Sequence, residues 1–142
     1  MIALINESST TRLPVSFIRV KKWLQLVAST EGYTIGDLIY KVMSDDAVLQ
    51  VNRNFLDHDF YTDIITFDYT SDKHLSADIV VSIDRIVDNA HMTGNSIKDE
   101  YLRVMVHGVL HLMGYKDKSE PDEVLMRQKE NDAIRMFHVK HF

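Results

Sequence analysis

The sequence predicts a single α+β domain, a small mixed β-sheet of about four strands covered by about five helices. Its 142 residues match one domain at roughly 150 residues each. Strand-like and helical patterns alternate through the first two thirds of the chain, and only helical patterns follow. A hydrophobic fraction of 45% against 26% charged residues supports a sizeable core and excludes a disordered chain. Five Gly, two Pro and the lack of an internal repeat exclude collagen-like, linker-rich and solenoid architectures.

Ile2 to Ile5 form a short apolar run that reads as a strand. From Ser16 to Thr30, Phe17, Val20, Trp23, Leu24, Val27 and Ala28 recur at spacings of three and four, an amphipathic helix stopped by Gly32. Ile35 to Met43 is rich in β-branched and aromatic residues and reads as a strand. Ser44 or Asp45 can then cap a helix to about Leu56. Asp57 to Thr62 is a polar loop. Asp63 to Tyr69 and Ala77 to Ile83 read as two strands, paired as a hairpin across a long polar loop. Asp84 can cap a helix ending near Gly94. Ser96-Ile97-Lys98-Asp99 has the form of a capping box and opens an apolar helix that Gly114 closes. Ser119-Glu120-Pro121-Asp122 repeats that form and starts a last helix to about Phe137, with Pro where the first turn tolerates it.

The absence of Cys excludes disulfides, thiolate metal sites and a thiol nucleophile, so His and carboxylates must hold any metal. Neither a basic leader with an apolar run nor 18 consecutive apolar residues occur, so the chain is expected to be cytoplasmic, with no membrane partner. A net charge of −5 argues against coating nucleic acid by bulk electrostatics. It leaves room for an enzyme that grips a few phosphates locally.

The stretch from Asp99 to Met113, in the helix that the capping box at Ser96 opens, carries the chemistry. At about 100° per residue, Glu100, Arg103, His107 and His111 fall in one stripe, and the rest of the circumference is almost wholly apolar. Such a helix is buried by its neighbours and opens only its polar stripe to a cleft. His107 and His111, four apart, stack one turn above each other, the spacing by which two imidazoles share one metal ion. The plainer alternative is a pair of cleft histidines bonded to backbone or to Glu100. Gly108 inside the helix costs roughly 1 kcal/mol relative to Ala, which implies close approach of a strand or a substrate. Gly114 reverses the chain, and Asp117 is the carboxylate best placed to swing back toward the histidines. Otherwise it is a solvated residue between Lys116 and Lys118.

The segments HGVLHLMGYKD, NRNFLDHDFYTDIITF and SADIVVS together resemble the YbeY family of metal-dependent endoribonucleases. The family pattern H-G-x-L-H-L-x-G-Y-D-H is met at His107, Gly108, Leu110, His111, Leu112, Gly114 and Tyr115. Thr62-Asp63 and Asp78-Ile79 stand where that family places them, and the resemblance spans about residues 45 to 118. It implies a zincin-like helix with two His at the centre of the fold, and one Zn²⁺ per chain, with Ni²⁺ or another divalent transition metal as substitutes. The family's third metal-binding His falls on Asp117 here, which makes a harder, less positive site. The family's phosphate-directed Arg falls on Leu56, and Arg53 lies one turn earlier.

From these residues the expected metal ligands are His107, His111 and Asp117, and the candidate catalytic residues are Arg53 and Arg103. Arg53 can equally be an exposed helix charge, and Arg103 can pair with Glu100. The resemblance implies hydrolysis of single-stranded RNA, in maturation of the 16S rRNA 3′ end and ribosome quality control, with the small ribosomal subunit as partner. A metalloprotease of the H-E-x-x-H kind is disfavoured because Gly108 replaces the Glu that would be its general base. The other alternative is a non-catalytic assembly factor that binds the ribosome or its RNA. Two basic groups bear on it, Arg12, Arg19, Lys21 and Lys22, and Arg127, Lys129, Arg135 and Lys140. Converging beside the histidines they would form a nucleic-acid groove; apart, they are solvated helix faces.

Overall fold

The alternating patterns resolve into nine elements in the computed structural model, which describes residues 1–142. In chain order these are β1 (Ile2–Asn6), α1 (Phe17–Thr30), β2 (Thr34–Met43), α2 (Asp45–Leu56), β3 (Ile64–Asp68), β4 (His74–Ser82), α3 (Ile83–Thr93), α4 (Ile97–Leu112) and α5 (Glu120–Lys140). The sheet order is β1-β2-β4-β3. β2 runs parallel to both β1 and β4, and β3 returns antiparallel to β4, so the sheet is mixed and β3 is an edge. This is the α+β fold that the sequence predicts.

The two-residue period of each strand sorts side chains between two apolar clusters. Leu38, Tyr40 and Val42 of β2 and Leu75, Ala77, Ile79 and Val81 of β4 join the main core with α1, α4 and α5. Ile65 and Val80 point the other way, onto Val48 of α2. α4 lies against β3, β4, α1, α3 and α5. Its Tyr101, Leu102, Met105, Val106 and Val109 are wholly buried, each such side chain contributing roughly 1.5–3 kcal/mol of apolar stabilisation. Buried polar pins hold the helices of this core as well. The buried Tyr40 hydroxyl donates to the Met105 carbonyl at 2.7 Å, and Trp23 Nε1 donates to the Ala133 carbonyl of α5 at 2.7 Å.

Gly108 is explained by the sheet. A Cβ at that position would stand 2.9 Å from Cδ1 of Ile79 and 3.3 Å from Cδ1 of Ile64, so the missing side chain lets α4 settle onto β3 and β4. Gly114, at φ +99°, ends the helix and turns the chain toward Asp117.

Local details depart from the sequence-based expectations. Ser82, not Asp84, caps α3 by accepting from Arg85 N, while the Asp84 carboxylate accepts from Asp45 N at 2.8 Å and caps α2 in space. Ser96 caps α4, but the Asp99 side chain pairs with His138 at 2.8 Å instead of returning to Ser96. The β3–β4 loop is tight, because β4 starts at His74, Ser71 bridges to His74 and Asp72 takes a left-handed φ of 53°. α5 runs past Phe137 to Lys140. No helix is long and apolar enough to cross a membrane.

Candidate metal centre

The polar stripe of α4 grades from closed to open along the helix. Side-chain exposure rises from 9% at Glu100 and 14% at Arg103 to 19% at His107 and 33% at His111. The gradient follows α5, which covers the first half of the stripe and leaves the second to solvent. At the open end the two imidazoles stand 4.6 Å apart between centroids, nearly perpendicular. The loop after Gly114 brings Asp117 Oδ2 to 3.2 Å from Nε2 of His107 and 3.2 Å from Nε2 of His111. One donor atom from each of the three residues lies within 4.8 Å of the others. Two imidazole nitrogens and a carboxylate oxygen are a donor set suited to zinc and its neighbours, so the residues fit the metal that the resemblance implies.

The closed end holds a residue that the sequence reading missed. Glu130 of α5, with a side chain only 5% exposed, accepts from His107 Nδ1 at 2.6 Å and from Arg103 Nη1 at 3.0 Å. This bond places the imidazole proton on Nδ1 and leaves the Nε2 lone pair, on the side of Asp117, free to ligate a metal. Burial alone would depress the His107 pKa, but the Glu130 hydrogen bond and charge, with Asp117 and Asp63, raise it overall. Glu130 is shifted the opposite way. Burial favours its neutral form, but the His107 and Arg103 contacts outweigh that and lower its pKa. A signal for Glu130 was present in the sequence, since Met126, Glu130, Ala133, Ile134 and Phe137 form the buried stripe of α5 and only one of them is charged. Asp63, a landmark in the sequence motif, also lines the cleft; burial raises its pKa, opposed in part by His107.

The cleft has three lobes of about 530, 390 and 450 Å³, all of them bordered by His107 and Asp117. Arg103 lines the middle lobe but is held by Glu130, with Glu100 Oε2 at 3.8 Å from its Nε. Arg53 pairs with Asp59 on the surface and borders none of the three lobes. The two basic groups do not converge there, for only Arg127 of their members borders the cleft. Arg19 lies over the Phe137 ring and Lys129 over the Tyr115 ring. His138 turns to Asp99, and His58 stacks on Phe60.

Comparison with known proteins follows the same residues. The family described as Endoribonuclease YbeY matches residues 5–138, nearly the whole chain. The chain belongs to the YbeY endoribonuclease family. An Endoribonuclease YbeY from Cytophaga hutchinsonii is 48% identical over 118 residues, 82% of this chain and 82% of the relative. One from Bacteroides thetaiotaomicron is 44% identical over 115 residues, 81% of this chain and 84% of the relative. A solution structure of a Thermotoga maritima protein superposes with a TM-score of 0.68 at 25% identity, covering 99% of this chain and 91% of that one. The YbeY resemblance seen in residues 45 to 118 therefore extends into both flanks, including the α5 segment that carries Glu130.

Proposed function

We propose that this YbeY family member is a metal-dependent hydrolase that cuts single-stranded RNA internally, in the cytoplasm, during maturation of the 16S rRNA 3′ end and ribosome quality control. The observation that carries this reading is the convergence of His107, His111 and Asp117 at the open end of an otherwise buried helix. Those three would hold one Zn²⁺, with Ni²⁺ as a possible substitute, and residues 1–142 would act as one metallohydrolase domain. Bound there, the metal would supply Lewis acidity toward a phosphoryl oxygen and acidify a water toward a pKa of roughly 7.

The chain's own residues set the conditions for that chemistry. Glu130 fixes the His107 tautomer, and Arg103 holds Glu130 in its charged form, so Arg103 acts on the site through that carboxylate. Asp63 places a second carboxylate beside His107, where a proton of water or of a leaving oxygen could be received. Arg53, tied to Asp59, is better suited to the surface than to the reacting phosphate. The small ribosomal subunit is the partner this reading implies.

The test is cleavage of a labelled single-stranded RNA by metal-loaded protein, with His111→Ala in parallel. We expect the wild type to cut and the variant to lose at least a hundredfold in rate. Equal cleavage by both would remove the site assignment. Binding of rRNA without cleavage by the metal-loaded wild type would favour the assembly-factor reading, to which the Leu56 position already lends support.

A further inference from the structure

An RNA substrate brings a chain of phosphates into a cleft bordered by Asp63, Asp117, Glu120 and Glu123. Such a cleft repels anions wherever a cation does not offset its carboxylates. Two arginines line it. Arg103 has a side chain 14% exposed, and it cannot turn outward without breaking its hydrogen bond to Oε1 of the buried Glu130. Arg127 is different. Its side chain is 60% exposed, and its single ion-pair contact, Nη1 to Glu130 Oε1 at 3.5 Å, is longer than an ordinary charge-assisted hydrogen bond.

α5 sets this arrangement. Met126 is buried, and Glu130 lies one helical turn further along against His107, so the backbone at Arg127 is fixed by its neighbours on both sides. The side chain nevertheless lies at the cleft mouth and borders both lobes that α5 shares with His107 and Asp117. A planar guanidinium in that place can present two parallel N–H groups to one phosphate. Leu56, where the resemblance places an Arg, offers no charge, and Arg53 is engaged with Asp59 outside the cleft.

We propose that Arg127 is a substrate-contacting residue that binds a phosphate of single-stranded RNA beside the His107–His111–Asp117 centre. The proposal rests on the RNA-cleaving reading above. It assigns to α5 the phosphate contact that the helix before β3 lacks in this chain.

The experiment measures kcat and KM of the metal-loaded protein on a fluorescently labelled 20-nucleotide polyuridine RNA over a series of NaCl concentrations. Wild type is compared with Arg127→Ala, Arg127→Lys and Arg53→Ala, with metal content measured for each. Arg127→Ala should lower kcat/KM about tenfold or more, the scale of one hydrogen bond to a charged group. It should also make the dependence of log(kcat/KM) on log salt shallower by about 0.7, the slope of one phosphate contact on a single strand. Arg127→Lys should keep the wild-type slope with part of the rate, and Arg53→Ala should match wild type. Metal content should be equal throughout. A kcat/KM within twofold of wild type and an unchanged slope in Arg127→Ala would overturn the proposal. So would loss of metal in that variant, because Arg127 would then act through Glu130. If metal-loaded wild type cuts no RNA, the functional reading itself fails and this assignment goes with it.

Discussion

The two ends of α4 carry the same kind of polar stripe and do opposite things with it. At the lower end Glu100 and Arg103 lie under α5, and Arg103 pairs with the buried Glu130. At the upper end His107 and His111 face outward, and their Nε2 atoms meet only Asp117. Glu130 joins the two, with one oxygen on Arg103 and the other on His107. A single helix face thus becomes a buttress where α5 covers it and a ligand-binding surface where α5 recedes. Polarity on a buried helix does not itself mark chemistry. The chemistry lies where donors remain unpaired and reachable.

Breaking the buttress should have the largest effect. Glu130→Ala leaves Arg103 buried and charged without its partner, and urea unfolding of the metal-free protein should show a loss of about 3–5 kcal/mol, the usual scale for breaking a buried ion pair. Glu130→Gln keeps the shape and sharpens the question. Its metal affinity, measured by chelator competition, should fall by about 10- to 100-fold, as for other groups that orient a ligating imidazole, with a smaller loss of stability than Glu130→Ala.

The shifted ionisations of His107 and Glu130 give the two ends opposite pH behaviour. In metal-free protein, the raised His107 pKa contributes stability in full below the ordinary value of 6.5, and this is lost as pH rises through the raised folded value. The lowered Glu130 pKa contributes stability above the ordinary 4.5, lost as pH falls through the depressed folded value. Thermal melting of metal-free protein should therefore weaken on the alkaline side of that window. Metal binding should strengthen over the same rise, because a proton on His107 Nε2 competes with the ion.

Smaller effects come from the packing beneath the site and from the surface. Gly108→Ala gains helix propensity of about 1 kcal/mol and forces Ile79 aside at a cost of about 1–3 kcal/mol. The net loss should be about 1 kcal/mol by thermal unfolding, with metal still bound. Arg53→Ala removes only an exposed pair and should change stability by less than about 0.5 kcal/mol.

The order of elements along the chain, the β3–β4 hairpin and the identity of α4 were legible because their signals are local. A two-residue period, a four-residue His spacing and Gly114 each act within one element or its end. Asp117 could be named because only six residues separate it from His111. Glu130 could not, since its role depends on α5 crossing α4 and its partner His107 lies 23 residues away. The same distance hid the fate of Arg103, whose neighbour in sequence is Glu100 but whose hydrogen-bond partner is Glu130. Ser44 caps α2 as its sequence suggests, accepting from Ala47 N, whereas the cap expected of Asp84 at α3 failed for a similar reason, because its carboxylate turns to Asp45 N, 39 residues away in the chain. Arg127 appeared in the sequence as one member of a basic group, and only the docking of α5 separates it from the rest.

Metal analysis of protein purified without added metal, for wild type and for the double variant His107→Ala, His111→Ala, tests the His107–His111–Asp117 centre most directly. Close to one zinc or nickel ion per chain is expected in the wild type and almost none in a folded double variant. Near-stoichiometric metal persisting in the double variant, or a wild type that takes up no divalent transition metal at neutral pH, would contradict that assignment.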